Sequence, residues 1–152
     1  MCSIAAAYLL LHRIYRMGLA MLGGIPVHRH TNTAPAMRRA YECLASGEYN
    51  LLIHPEGTRT RNGRLGTFKP GAAKLSIDSE VDIIPVCING AYEIFPPDKK
   101  FPHFFNGGWF HKYPLEIHFG NPISPNGKTE AEITEEIRHQ IVEMKEYHGG
   151  NQ

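Results

Sequence analysis

An α/β domain, with a mainly parallel mixed sheet flanked by helices, is the fold class this sequence predicts. Short apolar runs bounded by Gly and Pro alternate with longer segments whose apolar residues recur at spacings of three and four. No internal repeat and no flexible linker separates them, so the 152 residues read as one domain, residues 1–152, with its own apolar core. Hydrophobic residues at 42% and charged residues at 20% exclude disordered and coiled-coil readings. A net charge of +1 gives no sign of a nucleic-acid partner, so any basic site must come from local clustering.

Taken in order, residues 4–11 are an unbroken apolar run interrupted by His12 and Arg13. Together with Ile14, Met17 and residues 19–22 it reads as an apolar helix or strand-helix, either packed in the core or lying on a membrane surface. It is too short for a spanning helix, which needs roughly 20 apolar residues, and it has no signal-peptide pattern. Gly23-Gly24 breaks it, and Ile25-Pro26-Val27 is extended. Ala34, Met37, Ala40, Tyr41 and Leu44 mark an amphipathic helix, with Thr33 as N-cap, Pro35 in the first turn and Gly47 as the stop.

Residues 51–53 form a short strand, 55–70 a long loop, 72–77 a short helix and 81–88 a second strand ended by an Asn89-Gly90 turn. Residues 95–114, rich in Pro, Gly and aromatics, show no period and predict an irregular surface segment. Residues 115–119 alternate as a third strand, closed by Gly120-Asn121-Pro122. Thr129-x-x-Glu132 is a capping box opening a helix with Ile133, Ile137, Ile141 and Met144 on one face, stopped at Gly149-Gly150.

Cys2, Cys43 and Cys87 are far apart and odd in number, which fits free thiols and argues against a disulfide framework or a cysteine zinc site. The chemistry concentrates at residues 54–74. Arg59, Arg61, Arg64, Lys69 and Lys74 come after Glu56 with no acid among them, at the carboxyl end of an apolar strand, where open α/β sheets bind ligands. Gly57, Gly63, Gly66 and Gly71 permit tight turns, and a helix starting near Gly71 adds N–H donors. These features describe a phosphate site; a solvated basic loop is the plainer reading of the same residues.

Pro55-Glu56-Gly57-Thr58-Arg59 resembles the Pro-Glu-Gly-Thr-Arg motif of the PlsC-type glycerolipid acyltransferases, the family of the 1-acylglycerol-3-phosphate acyltransferases. Gly24-Ile25-Pro26-Val27-His28-Arg29 is similar to that family's second motif, and Ile83-Ile84-Pro85-Val86 to its fourth. The stretch from Arg64 to Gly71 is similar to the segment just downstream of its third motif. The resemblance implies a glycerolipid acyltransferase-like fold. It implies transfer of a fatty acyl group from acyl-CoA or acyl-carrier protein to a lysophospholipid hydroxyl, with no metal or redox cofactor.

Resemblance further implies that Arg29, Glu56, Gly57, Thr58, Arg59 and Lys69 hold the acceptor's phosphate and glycerol. Arg59 is the first choice for phosphate. Glu56 accepts from a glycerol hydroxyl or braces an arginine. Because the substrates are lipids, a peripheral position on the cytoplasmic side of a membrane is expected.

One departure is large. The family's first motif, His-x-x-x-x-Asp, supplies the general base. None of the nine histidines has an Asp five positions on. Only His111 and Glu116 make a His-carboxylate pair at that spacing, and they lie after the fourth motif. The expectation is a chain that starts inside the family's domain, incomplete at its N-terminus, or a natural inactive variant. His54 stands where the family has an aromatic or apolar residue. It either packs locally or acts as a substitute base with no evident orienting partner. The alternative function is a non-catalytic lipid-phosphate-binding or membrane-surface module. A phosphatase or nucleotide-binding reading lacks its loops and its clustered aspartates.

Overall fold

The computed structural model describes residues 2–6, 23–27, 33–58, 60–99 and 113–149. The chain runs β1 (Cys2–Ala6), β2 (Gly24–Val27), α1 (Ala34–Ala45), β3 (Leu51–Leu52), α2 (Gly71–Ser79), β4 (Val86–Asn89), α3 (Ala91–Ile94), β5 (Glu116–Phe119) and α4 (Glu130–Gly149). β2, β1 and β3 form a parallel sheet in that order, with Ile4 opposite Ile25 and Ser3 opposite Leu52. β4 and β5 form a separate antiparallel pair, with Ile88 opposite Ile117.

The first apolar run therefore begins as the central strand of a parallel sheet. Such strands are covered on both faces and read as continuous apolar runs rather than as alternation. The rest of that segment, residues 7–22, lies outside the described residues.

The expected strand at 81–88 is shorter than predicted. Only Val86–Asn89 is laddered, and Ile83 makes an isolated bridge to Ile123, with N–H···O distances of 2.9 and 2.8 Å. Pro85 has no N–H to donate and interrupts the ladder. Its carbonyl still accepts the Gly120 N–H at 2.8 Å. Two residues separate Ile83 from Val86 but three separate Phe119 from Ile123, so 120–122 carries a one-residue bulge. Asn89-Gly90 does not turn into a hairpin. Gly90, at φ +84°, leads into the single turn of α3.

Helix ends obey sequence chemistry only in part. Thr33 occupies the N-cap of α1 as expected, with its carbonyl accepting the Met37 N–H at 3.1 Å, but its side chain makes no cap bond, and Pro35 stands in the first turn. Gly47, at φ +70°, closes it by donating to the Leu44 carbonyl. At α4 the capping box forms in full. Thr129 N–H donates to Glu132 Oε2 at 2.8 Å, and Glu132 N–H donates to Thr129 Oγ1 at 3.3 Å.

Two apolar clusters make the core. Ile133, Ile137 and Ile141 of α4 pack with Phe68, Ala73, Cys87 and Ile123. Ala36 and Ala40 of α1 pack with Ile25 and Leu75. Helix α2 gives Ala73 to the first and Leu75 to the second, so it stitches the clusters together and its N-terminus is fixed. The other face of the β4–β5 pair stays apolar and open, with Ile117 52% and Phe119 71% exposed.

Candidate phosphate-binding loop

The loop is built outward from β3. His54 to Gly57 form a tight turn in which the Gly57 N–H donates to the His54 carbonyl at 3.0 Å. Pro55 at the second position presets the backbone of such a turn. Gly57 comes next but one at φ +66°, a conformation that costs other residues roughly 1–2 kcal/mol. At the far end the Lys69 N–H donates to the Pro55 carbonyl at 2.9 Å, closing the loop on itself. That closure lays the Lys69 ammonium over Gly57, 3.1 Å from where a Cβ would stand.

Between these ends the backbone is held by its own side chains. Glu56 Oε2 accepts the Gly66 N–H at 2.8 Å. Thr60 Oγ1 donates to the Arg64 carbonyl at 2.8 Å, and Asn62 Oδ1 accepts the Arg64 N–H at 3.1 Å. Two neighbouring elements reach in. Tyr92 Oη of α3 donates to the Arg61 carbonyl at 3.1 Å. From α4, Arg138 Nη1 donates to the Gly66 carbonyl at 3.2 Å and Lys145 Nζ to the Gly63 carbonyl at 2.6 Å. The Arg138 guanidinium also sits 5.8 Å from the centre of the Phe68 ring.

The structure brings Glu56, Gly57, Thr58 and Lys69 into one turn region beside the start of α2. Pro70 precedes that helix and provides no side-chain cap, so its first N–H groups lack an intrahelical partner. Arg29 and Arg59 lie outside the described residues. Glu56 holds the backbone of Gly66, a bond that the expectation of an arginine partner did not foresee. Lys74, grouped in sequence with the basic run, turns along α2 to Asp78 at 3.4 Å. His54 is exposed, and among the described residues its ring has no hydrogen-bond partner. Of the His111–Glu116 pair, His111 is outside the described residues, and Glu116 Oε2 faces His118 Nε2 at 3.2 Å.

A cavity of about 220 Å³ opens beside His54 and Pro55, lined on its apolar sides by Ile53 and Ile84 from the β3 and β4 regions and by Ala72 and Leu75 of α2. Among the described residues no helix is long and apolar enough to cross a membrane. Sequence reading missed Tyr92, Arg138 and Lys145. Nothing in a single sequence ties a helix cation to a glycine carbonyl 72 or 82 positions away.

Comparison with known proteins gives these features a family. The family model described as Acyltransferase matches residues 1–89. The chain is 35% identical over 121 residues to 1-acyl-sn-glycerol-3-phosphate acyltransferase beta of Homo sapiens, covering 77% of this chain and 41% of that protein. It is 32% identical over 84 residues to the chloroplastic 1-acyl-sn-glycerol-3-phosphate acyltransferase LPAT1 of Arabidopsis thaliana, covering 54% of this chain and 23% of that one. The chain thus spans less than half the length of either relative. Among solved structures, the 1-acyl-sn-glycerophosphate (LPA) acyltransferase PlsC from Thermotoga maritima superimposes with a TM-score of 0.71 at 21% identity, over 96% of this chain and 56% of its own. That match shows the fold, and with the family model and the human relative it establishes that this chain belongs to the Acyltransferase family, in its PlsC-type glycerolipid branch.

Proposed function

We propose that residues 1–152 form the acceptor-binding domain of a lysophospholipid acyltransferase. The acceptor is a lysophospholipid such as 1-acylglycerol 3-phosphate, and the donor is acyl-CoA or acyl-carrier protein. The observation that carries the reading is the closure of the loop by Lys69 and Pro55, which sets an ammonium over the left-handed Gly57 beside the uncapped start of α2. An anion there meets a cation, loop peptide groups and the positive end of a helix. Arg59 and Arg29 add guanidinium groups matched to phosphate oxygens. Thr58 adds a hydroxyl donor, and Glu56 keeps the loop in shape. The acceptor's acyl chain takes the apolar cavity beside His54 and Pro55. Residues 4–6 are taken up by β1, so it is the apolar and basic residues 7–22 that bring the domain to the cytoplasmic surface of a membrane.

In the reaction the acceptor hydroxyl oxygen forms a bond to the thioester carbon, the carbon–sulfur bond breaks, and the hydroxyl proton passes to a base. These residues bind and orient the acceptor. The base is not among them, because no His-x-x-x-x-Asp occurs in the 152 residues and His54 has no orienting partner among the described residues. General acid–base catalysis contributes typically about 10²–10⁴-fold, so binding without appreciable turnover is expected of this chain. Phosphorus NMR tests both halves. The 1-hexanoylglycerol 3-phosphate resonance broadens or shifts on adding protein, and no diacyl product accumulates with oleoyl-CoA. An unperturbed resonance would refute the acceptor site. Turnover that is lost in His54→Ala would make His54 the base.

A further inference from the structure

We infer that α4 is a clamp for the phosphate loop, acting through Arg138 and Lys145 as positioning residues that order its backbone for an anionic ligand without touching that ligand. Both cations are committed to main-chain carbonyls, Arg138 to Gly66 at 3.2 Å and Lys145 to Gly63 at 2.6 Å. Along α4 Arg138 comes before Lys145, whereas in the loop Gly66 comes after Gly63, so the two contacts run antiparallel, about two helical turns apart on α4.

The clamp has an electrostatic consequence. A carbonyl held by a cation has its negative end turned toward α4, and peptide planarity sends the next N–H the opposite way. After Gly66 that donor is Thr67 N–H, which has no partner among the described residues. After Gly63 it is Arg64 N–H, which Asn62 takes. Gly66 is therefore held at both of its polar groups, with Glu56 on its N–H and Arg138 on its carbonyl. A Cβ at this position would stand 2.8 Å from Glu56 Oε2. The Phe68 ring is buried in the α4 cluster and lies under the Arg138 guanidinium, so the loop is fixed there by packing as well. Helix α4 lies beyond the residues the family model covers. The ordering of the loop stands on this geometry alone, and its effect on acceptor affinity rests on the proposed function.

Amide hydrogen exchange across residues 56–69 and titration with 1-hexanoylglycerol 3-phosphate, on wild type and on Arg138→Gln and Lys145→Met, separate the two. Exchange in the loop should quicken by about 3- to 30-fold in either variant, while exchange in the first turns of α4 stays unchanged. Affinity should fall by about 3- to 20-fold, and Lys145→Arg should restore most of it. If Arg138→Gln does not fold, Lys145→Met carries the test. Unchanged loop exchange in the folded variants overturns the clamp, as does quickened exchange spread over the whole chain. A loop that loosens in the variants while wild type binds no phosphate ester supports the clamp and sinks the functional reading instead.

Discussion

Glu56 Oε2 lies 2.8 Å from the backbone nitrogen of Gly66, so the one carboxylate at the head of the basic run is spent on the loop's own main chain. This gives a role within the loop to an acid that stands inside the proposed phosphate site. With one oxygen accepting an N–H, the carboxylate is turned onto the loop's own backbone and the loop gains a fixed shape.

Glu56→Ala removes this acceptor and Gly66→Ala crowds it, so both should loosen the same loop. The bond is exposed, and its removal should cost about 0.5–1.5 kcal/mol of stability. Acceptor affinity should fall more in Glu56→Ala than in Glu56→Gln, which keeps an oxygen acceptor. Titration of the two variants compares them, and equal losses would point to a role for the charge in place of the hydrogen bond.

Gly90 offers a sharper test of the fold. Its φ is +84°, and an added Cβ would collide with the Pro114 carbonyl oxygen. That oxygen is main chain and cannot swing aside as a flexible side chain would. Gly90→Ala should lower stability by at least about 2 kcal/mol in urea unfolding. Gly47→Ala, also at positive φ but with open space around it, should cost only about 1 kcal/mol.

Acid unfolding should report the capping box. Hydrogen bonds from the Thr129 backbone and hydroxyl hold the Glu132 carboxyl below the usual glutamate range. A carboxyl depressed in the folded state stabilises above its unfolded pKa, about 4.3, and loses that contribution as the pH falls through the folded value. Glu132→Gln should therefore flatten the acid limb of the stability curve below about pH 5 and change nothing in its shape between about pH 6 and 8. Identical acid limbs would remove the box from the account.

Thiol labelling should separate the described cysteines. Cys87 is buried in the α4 cluster, and burial pushes its thiol up, opposed in smaller part by Lys145. Its reaction with a disulfide reagent should wait for unfolding, whereas the half-buried Cys43 of α1 should label in the native protein. Mass spectrometry of labelled peptides gives the order, and early labelling of Cys87 would contradict the packing.

How far the sequence can be read is set by the range of the forces involved. Local chemistry is legible. The Thr129–Glu132 box, the Pro35 start and Gly47 end of α1, and the stripe of Ile133, Ile137 and Ile141 all come from spacing within a few turns. Pro85 stands in plain view, yet its breaking of the strand can be placed only against the pairing partner at 119–123. In the candidate site, Glu56 and Gly57 stand out through their likeness to a family motif and Lys69 through the acid-free basic run, both local features of the sequence. Their meeting through the bond from Lys69 to Pro55, and the bracing by Tyr92, Arg138 and Lys145, depend on packing between distant segments. No periodicity records such contacts.

Recognition of a lysophospholipid's phosphate by the loop can be measured by calorimetric titration with a matched pair of monomeric ligands. The chain should bind 1-hexanoylglycerol 3-phosphate and show at least about tenfold weaker binding of 1-hexanoylglycerol, since charge-assisted hydrogen bonds contribute about 1.5–3 kcal/mol each. Lys69→Met and Arg59→Gln should each erode that preference by about 3- to 20-fold and leave the weak binding of the neutral ligand unaltered. Equal affinity of the wild-type chain for the two ligands, or a preference that survives both substitutions together, would contradict the account.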